Sequence, residues 1–219
     1  MNKFFLLAGL YVVNFLTSLM TVLTSVDTLS GEISSGTIHT VVSKPVPRWQ
    51  IVLGKWLGFT AMLSLYLLLM AGGVTLVGYL VAQTILPHLA QGVLLMWLTI
   101  LILLSVSLLG GTLLSTLANG VMVFGLFGIA FIGGWIEQIG AFLFSQAAVN
   151  VGIVTSLLLP SEAMWRRAAF EMQSPLVAAM GVSPFASQSA PSPVMVGYAL
   201  LYLVIVLFLA MQRFTRRDL

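Results

Sequence analysis

The chain has 219 residues, of which 59% are hydrophobic and only 7% are charged, and its mean hydropathy is +1.09. Soluble domains are about a quarter charged, so a water-exposed fold of this composition would present too much apolar surface to stay dissolved. The net charge is +3, but the nine basic residues form no continuous stripe, which argues against nucleic-acid binding. The composition therefore predicts a single all-α membrane domain over residues 1–219.

Five apolar stretches are long enough to span a membrane, because a helix needs about 20 apolar residues to cross the hydrocarbon core. The first is too long for a signal peptide and no small-x-small cleavage site follows it, so a retained span is predicted. The second is longer than a crossing requires and is expected to tilt, whereas the fourth is short and rich in glycine. The predicted spans are Phe4–Val26, Ile51–Ala82, Gln91–Leu117, Gly120–Ile136 and Pro193–Met211.

A sixth apolar stretch, Ile139–Leu159, is long enough to span but contains several polar residues, which favours a re-entrant or interfacial segment. Basic residues cluster around Arg48 and around Arg216, and such clusters are held on the cytoplasmic side. Four crossings between the clusters satisfy this rule and a fifth would break it. We therefore expect a cytoplasmic C-terminus, a tight inner turn at Ala118–Gly120 and an outer segment over residues 137–192.

Charged residues of the outer segment lie at helical spacings of four, with Arg166 four residues after Glu162 and Glu171 four residues after Arg167. The favoured interpretation is a solvated outer helix with salt bridges of little energetic value. The alternative is a docking site for an outer partner or for lipid headgroups. Glu137 follows the fourth span, where it is either a functional carboxylate at membrane depth or a solvated residue at the outer interface.

Candidate metal and catalytic sites are weak. His39 and His88 fall on opposite sides of the membrane in this topology, there is no cysteine, and no Ser/His/Asp arrangement or carboxylate pair indicates catalysis. Three small-x-x-x-small patterns favour close helix packing; they begin at Gly54, Gly111 and Ala130.

The most informative stretch is the loop between the first two spans, residues 27–50. One helical face would carry Ile33, Thr37, Ile38, Val41 and Val42. A helix there would stop before Pro45, which removes a backbone donor, and Pro47 is well placed to start the next one. Arg48 and Trp49 suit the membrane interface. The sequence thus predicts a short amphipathic helix on the inner membrane surface, which is either an ordinary connector or a lever that docks on a motor.

Three motifs in and after this loop are Glu-x-x-x-Gly-Thr, Pro-x-x-Arg and Gly-Lys. They resemble the corresponding loop of the ABC-2 type transporter permease family. The matching residues are Glu32, Gly36, Thr37, Pro45, Arg48, Gly54 and Lys55. The sequences Leu-Pro-Ser-Glu at 159–162 and Arg-Phe-Thr-Arg-Arg-Asp-Leu at the C-terminus are also similar to that family. Members usually have six spans preceded by an amphipathic surface helix, and this sequence begins at what resembles the second span, through truncation or as a short variant.

The resemblance implies a permease subunit of an exporter in the cell membrane, working as a dimer in lipid with an ABC ATPase. It implies that Glu32, Arg48 and Lys55 are electrostatic contacts or anchors of the coupling loop, while Gly36, Thr37, Ile38, Val41 and Pro45 shape and pack it. The chain has no G-x-x-x-x-G-K-[ST] motif, so ATP and Mg²⁺ would bind the partner and the chain itself would hold no cofactor.

Two other functions remain open at this point. An ion-coupled carrier or channel would normally place paired ionisable residues inside its spans, and none is expected at mid-depth here. A membrane assembly subunit that transports nothing is the second alternative. Nothing in the spans identifies a substrate.

Overall fold

The computed structural model describes residues 2–38, 46–173 and 191–217, and these residues form α-helices and short connections, with no strand among them. Among the residues discussed above, His39, Val41 and Pro45 lie outside the described ranges. The helices in chain order are α1 Asn2–Ser25, α2 Asp27–Ser34, α3 Arg48–Ala82, α4 Leu89–Leu113, α5 Thr116–Phe142, α6 Gln146–Leu158, α7 Ser161–Met172 and α8 Pro193–Thr215.

Five helical stretches are long and apolar enough to cross a membrane: α1 with α2, α3, α4, α5 and α8. The predicted all-helical, multi-pass bundle is therefore confirmed. Two boundaries differ from the predicted ones. The loop at 27–50 begins as helix, because α2 continues the first span to Ser34, and the fourth span is not short, because α5 runs on to Phe142.

The predicted inner turn at Ala118–Gly120 is wrong. These residues lie inside α5, and the chain turns earlier, at Leu114 and Ser115, which are extended. The Asn119 side chain is fully buried and donates from Nδ2 to the carbonyl oxygens of Val26 (2.9 Å) and Ser107 (3.1 Å). The amide therefore joins three helices, where the Asn-Gly pair had indicated a reverse turn.

Helix α4 is the central element, and it packs against α1, α2, α3, α5, α7 and α8. It is apolar on all sides, which is typical of a helix surrounded by other helices. One of its few polar side chains links it to α3: Ser105 Oγ donates to the Leu101 carbonyl (2.7 Å) and accepts from Trp56 Nε1 (2.9 Å). Helix α3 is the most peripheral of the five spans and exposes most of its apolar surface.

Helices α5 and α6 form a tight hairpin, and α7 then turns away from α6 by 112°. At 1.5 Å per residue, the 13-residue α6 and the 12-residue α7 are each about 20 Å long, too short to cross alone. The predicted segment Ile139–Leu159 is divided, because its first four residues belong to α5 and most of the rest forms α6. The bent α6–α7 pair has the geometry of a broken span or of a re-entrant segment. The pair lies towards the end of the bundle opposite to the 27–50 loop.

Candidate functional site

The loop end of the bundle is the end where α2, α4 and α8 finish and α3 and α5 begin, and it holds most of the residues predicted to be functional. Lys55 Nζ lies 2.6 Å from Glu32 Oε1 and 3.4 Å from the Thr28 carbonyl oxygen. Both side chains are partly exposed, so the ion pair adds little stability. Its role is geometric, since it ties the end of α2 to the first turns of α3 across the loop.

Arg48 is an anchor within the chain. Its Nη1 donates to the carbonyl oxygen of Arg217 at 2.6 Å, and the Arg217 guanidinium in turn donates to the Thr112 carbonyl oxygen. The start of α3 is thereby joined to the end of α8 and to the last turn of α4. This contact also brings the two predicted basic clusters to the same end of the bundle, as an even number of intervening crossings requires.

Gly36 ends the helical path into the loop. Its φ of 74° lies in the left-handed region, which glycine adopts without the steric cost of a Cβ. The predicted continuous helical face is therefore wrong at its start, since Ile33 belongs to α2 and Thr37 lies in the turn. Thr37 Oγ1 bonds within that turn to Ser35 Oγ (3.0 Å) and weakly to the Glu32 carbonyl (3.4 Å).

Beyond the turn, Ile38 is fully buried in the apolar core, in the same cluster as Ile51, Val52 and Phe214. The far side of the loop re-enters the bundle at Pro47, which directly precedes α3 as its spacing predicted. Both described flanks of the loop are thus fastened to the bundle.

Sequence reasoning missed a second set of contacts at this end. Thr116 Oγ1 donates to Asp27 Oδ1 (2.9 Å) and lies 3.0 Å from Ser30 Oγ, which fixes the start of α5 to α2. Because Thr116 and Asp27 are 89 positions apart and no motif joins them, no local pattern could have revealed the contact.

The opposite half of the bundle contains a buried charge cluster. Arg166 of α7 forms an ion pair with Glu137 of α5 and donates from Nη2 to Ser156 Oγ of α6 at 2.9 Å. The Arg166 side chain is only 1% exposed and that of Glu137 only 6%. Glu162, one turn before Arg166, is also buried. One guanidinium therefore holds three helices together.

These positions correct two expectations. The interpretation of 162–171 as a solvated outer helix is wrong, because most of α7 is buried among α1, α4, α5 and α8. The expected pairing holds for Arg167 with Glu171, but Arg166 pairs with Glu137 and not with Glu162. Glu137 is accordingly not a solvated interface residue.

Glycines make this cluster possible. A Cβ on Gly152 of α6 would overlap the Glu137 side chain, and one on Gly134 of α5 would overlap that of Glu162. The Ala130–Gly134 pattern thus does mark close packing. The Gly54–Gly58 pattern does not do so within this chain, since nothing in the described structure lies within 4 Å of a Cβ at either position.

Metal binding finds no support in the described part of the chain, which contains no group of three or more His, Cys, Asp or Glu side chains close enough to hold an ion. His88, the described histidine, sits at the turn between α3 and α4 with a left-handed backbone. The chemistry of both clusters is that of structural ion pairs and helix contacts.

Comparison with known proteins agrees with this arrangement. A search of the curated proteins found no match. The family of ABC-2 family transporter proteins matches residues 5–219, nearly the whole chain. Its members are membrane transport subunits, are not themselves catalytic, and normally work with an ABC ATPase. The chain therefore belongs to the ABC-2 transporter family and is a multi-pass permease of an ABC-type transporter.

Proposed function

We propose that this permease is the membrane subunit of an exporter that a separate ATP-hydrolysing subunit drives through the 27–50 loop. The observation that carries the proposal is the anchoring of the loop. Glu32 and Lys55 join its two flanks at 2.6 Å, and Arg48 joins the start of α3 to the end of α8. A force on a loop fixed in this way moves helices instead of dissipating in the connection.

The side on which the ATPase acts follows from charge. Five described basic residues lie at the loop end, namely Arg48, Lys55, Arg213, Arg216 and Arg217. The opposite end has Arg166 and Arg167, which are both paired with carboxylates, and Lys3 near the start of α1. The positive-inside rule therefore favours a cytoplasmic loop and a cytoplasmic C-terminus. ATP and Mg²⁺ then belong to the partner, and a second copy or a homologue completes the dimer.

The structure weakens the sequence argument against an ion-coupled carrier, but family membership supplies a stronger argument against it. An ionisable pair, Glu137 with Arg166, lies inside the bundle, towards the end opposite to the loop. Family membership, and not the lack of such a pair, decides against a carrier. The experiment below distinguishes a membrane assembly subunit, which transports nothing, from a permease that an ATPase drives.

The experiment uses the full chain, purified from membranes with the subunits that accompany it. We expect an ABC ATPase among them. An environment-sensitive fluorophore on Phe144→Cys, a position 97% exposed at the opposite end, should change its emission when ATP is added. Because this chain has no native cysteine, position 144 is its one site of labelling.

The decisive variant is Gly36→Val, because a β-branched residue cannot adopt a φ of 74° without strain. We expect the complex to assemble and hydrolyse ATP while the emission change is lost. Gly125→Val is the matched control, since open space surrounds that position. If no ATPase accompanies the chain, or if Gly36→Val responds to ATP as the unmodified chain does, the proposed drive through the loop is refuted.

A further inference from the structure

The two faces of α7, the second helix of the broken pair α6–α7, are held in the bundle by different kinds of contact. Helix α7 carries four charged residues in 12 positions, yet it lies buried in the bundle. Its apolar side chains Trp165, Ala168, Ala169 and Met172 pack in the core around α4, and Tyr11 of α1 stacks near Trp165 with ring centroids 5.4 Å apart. That face is held by apolar packing.

The other face of α7 is held differently. It meets α5 and α6 through Arg166, whose guanidinium contacts Glu137 and Ser156. Beside these contacts is a cavity of about 260 Å³, lined by the same three side chains and by Ile153, Ala163 and Met195. On the α7 side this cavity is lined by Arg166 and Ala163.

A buried ion pair is suited to a contact that must open and close. If the pair separates, each partner is left as an uncompensated buried charge unless water reaches it, and such a charge is strongly unfavourable. The pair is therefore the contact that holds α7 against α5 beside the cavity.

We propose that Arg166 is a positioning residue for transport, and that the Glu137–Arg166 pair is a latch that closes the end of the bundle opposite to the loop. Separation of the pair frees the α5-facing side of α7 and opens the cavity for release of cargo. The inference rests on the proposed function for the direction of transport, but the contact itself can be tested without ATP.

The test is the reaction rate of single cysteines with a membrane-impermeant maleimide, in membranes and without nucleotide. Ala163 lines the cavity and is fully buried, so Ala163→Cys should react slowly in the otherwise unmodified chain. With Glu137→Gln added, we expect the rate to rise by about tenfold or more, since the pair is lost. Arg166→Gln should raise the Ala163→Cys rate in the same way, whereas Arg166→Lys should keep that rate slow.

Two controls separate a latch from general damage. Ala169→Cys lies in the α4-facing core on the same helix, and its slow rate should stay unchanged when Glu137 is replaced. Glu171→Gln removes a carboxylate as Glu137→Gln does, but breaks the partly exposed pair with Arg167 on the same helix, so it should leave the Ala163→Cys rate unaltered. If either single variant fails to insert, the double variant Glu137→Gln/Arg166→Gln, which removes both partners of the ion pair, replaces it.

An unchanged Ala163→Cys rate in Glu137→Gln, or an equal rise at Ala169→Cys, would overturn the latch. Trapping the complex with ATP and vanadate supplies the link to transport, and we expect it to raise the Ala163→Cys rate in the unmodified chain. A rise in Glu137→Gln without any response to ATP would refute the ATPase drive and leave the latch standing. A rate that rises with ATP but does not change in Glu137→Gln would refute the latch and leave the ATPase drive standing.

Discussion

Buried polar side chains are used here as cross-links between helices. Lipid offers no hydrogen bonds, so a polar group inside the bundle must find a partner there. Thr17, Thr21 and Ser25 meet this need within α1 by donating to carbonyl oxygens four residues earlier, at 2.6 to 2.7 Å. Asn119 and Arg166 meet it across helices, and such contacts can position one helix relative to another.

Asn119 provides a stability test at this scale. Asn119→Ala would leave the carbonyl oxygens of Val26 and Ser107 without this donor. We expect a loss of about 1–3 kcal/mol in the free energy of unfolding. Thermal unfolding in detergent would measure it, with Asn150→Ala as the control, because Asn150 is exposed and bonds only to Gln146 in the same helix. Equal midpoints for the two variants would show that the amide is not a structural contact.

At the scale of elements, the α5–α6 hairpin depends on glycine at the contact surface. A Cβ on Gly140 would lie 2.6 Å from the Cβ of Ala148, and one on Gly152 would lie 2.8 Å from the Gly133 carbonyl oxygen. Both distances are below ordinary van der Waals contact. The two helices therefore approach so closely that their backbones nearly touch, as small residues permit in membranes.

A pair of Gly→Ala variants tests this contact. Gly152→Ala is expected to destabilise the fold by about 1–3 kcal/mol, which is typical of overpacking. Gly128→Ala, in α5 but with open space around it, is expected to be neutral or to stabilise by up to about 1 kcal/mol through helix propensity. Unfolding midpoints of both variants in the same detergent provide the measurement. If Gly152→Ala is as stable as Gly128→Ala, the hairpin must be looser than described.

At the scale of the whole molecule, orientation in the membrane is testable with the same cysteine-free background. We expect Trp49→Cys at the loop end to react only with reagent supplied from the cytoplasmic side, and Phe144→Cys only with reagent from the outside, because charge favours a cytoplasmic loop end. Both positions are exposed. Labelling of intact cells against that of inverted vesicles distinguishes them, and reversed accessibility would invert the topology and exclude a cytoplasmic ATPase at the loop.

The sequence predicted what depends on composition and local pattern. Five spans and the start of a helix after Pro47 follow from hydropathy and proline chemistry, and each agrees with the fold. The sequence-based prediction failed where the role of a residue depends on a partner that is distant in the chain. Asn119 reads as a turn residue until Val26 and Ser107 are placed beside it, and Arg166 reads as solvated until Glu137, 29 positions earlier, is packed against it.

The candidate functional residues also fall into two groups, those that a sequence motif reveals and those that the fold alone brings together. Glu32, Gly36, Arg48 and Lys55 belong to one recognisable stretch, and the structure supplies only their partners. Arg166 and Glu137 come from different helices and no motif links them. Their contact exists only because two glycine-lined helices meet a third that is bent by 112°.

The hydrogen bond from Arg48 to the Arg217 carbonyl has a practical consequence for handling this protein. Whatever is attached behind the last helix hangs beside the loop at which a driving subunit would dock. A bulky fluorescent reporter placed there would compete for that space and mimic a defective partner. Purification handles are better placed at the first helix, which begins at the far end of the bundle.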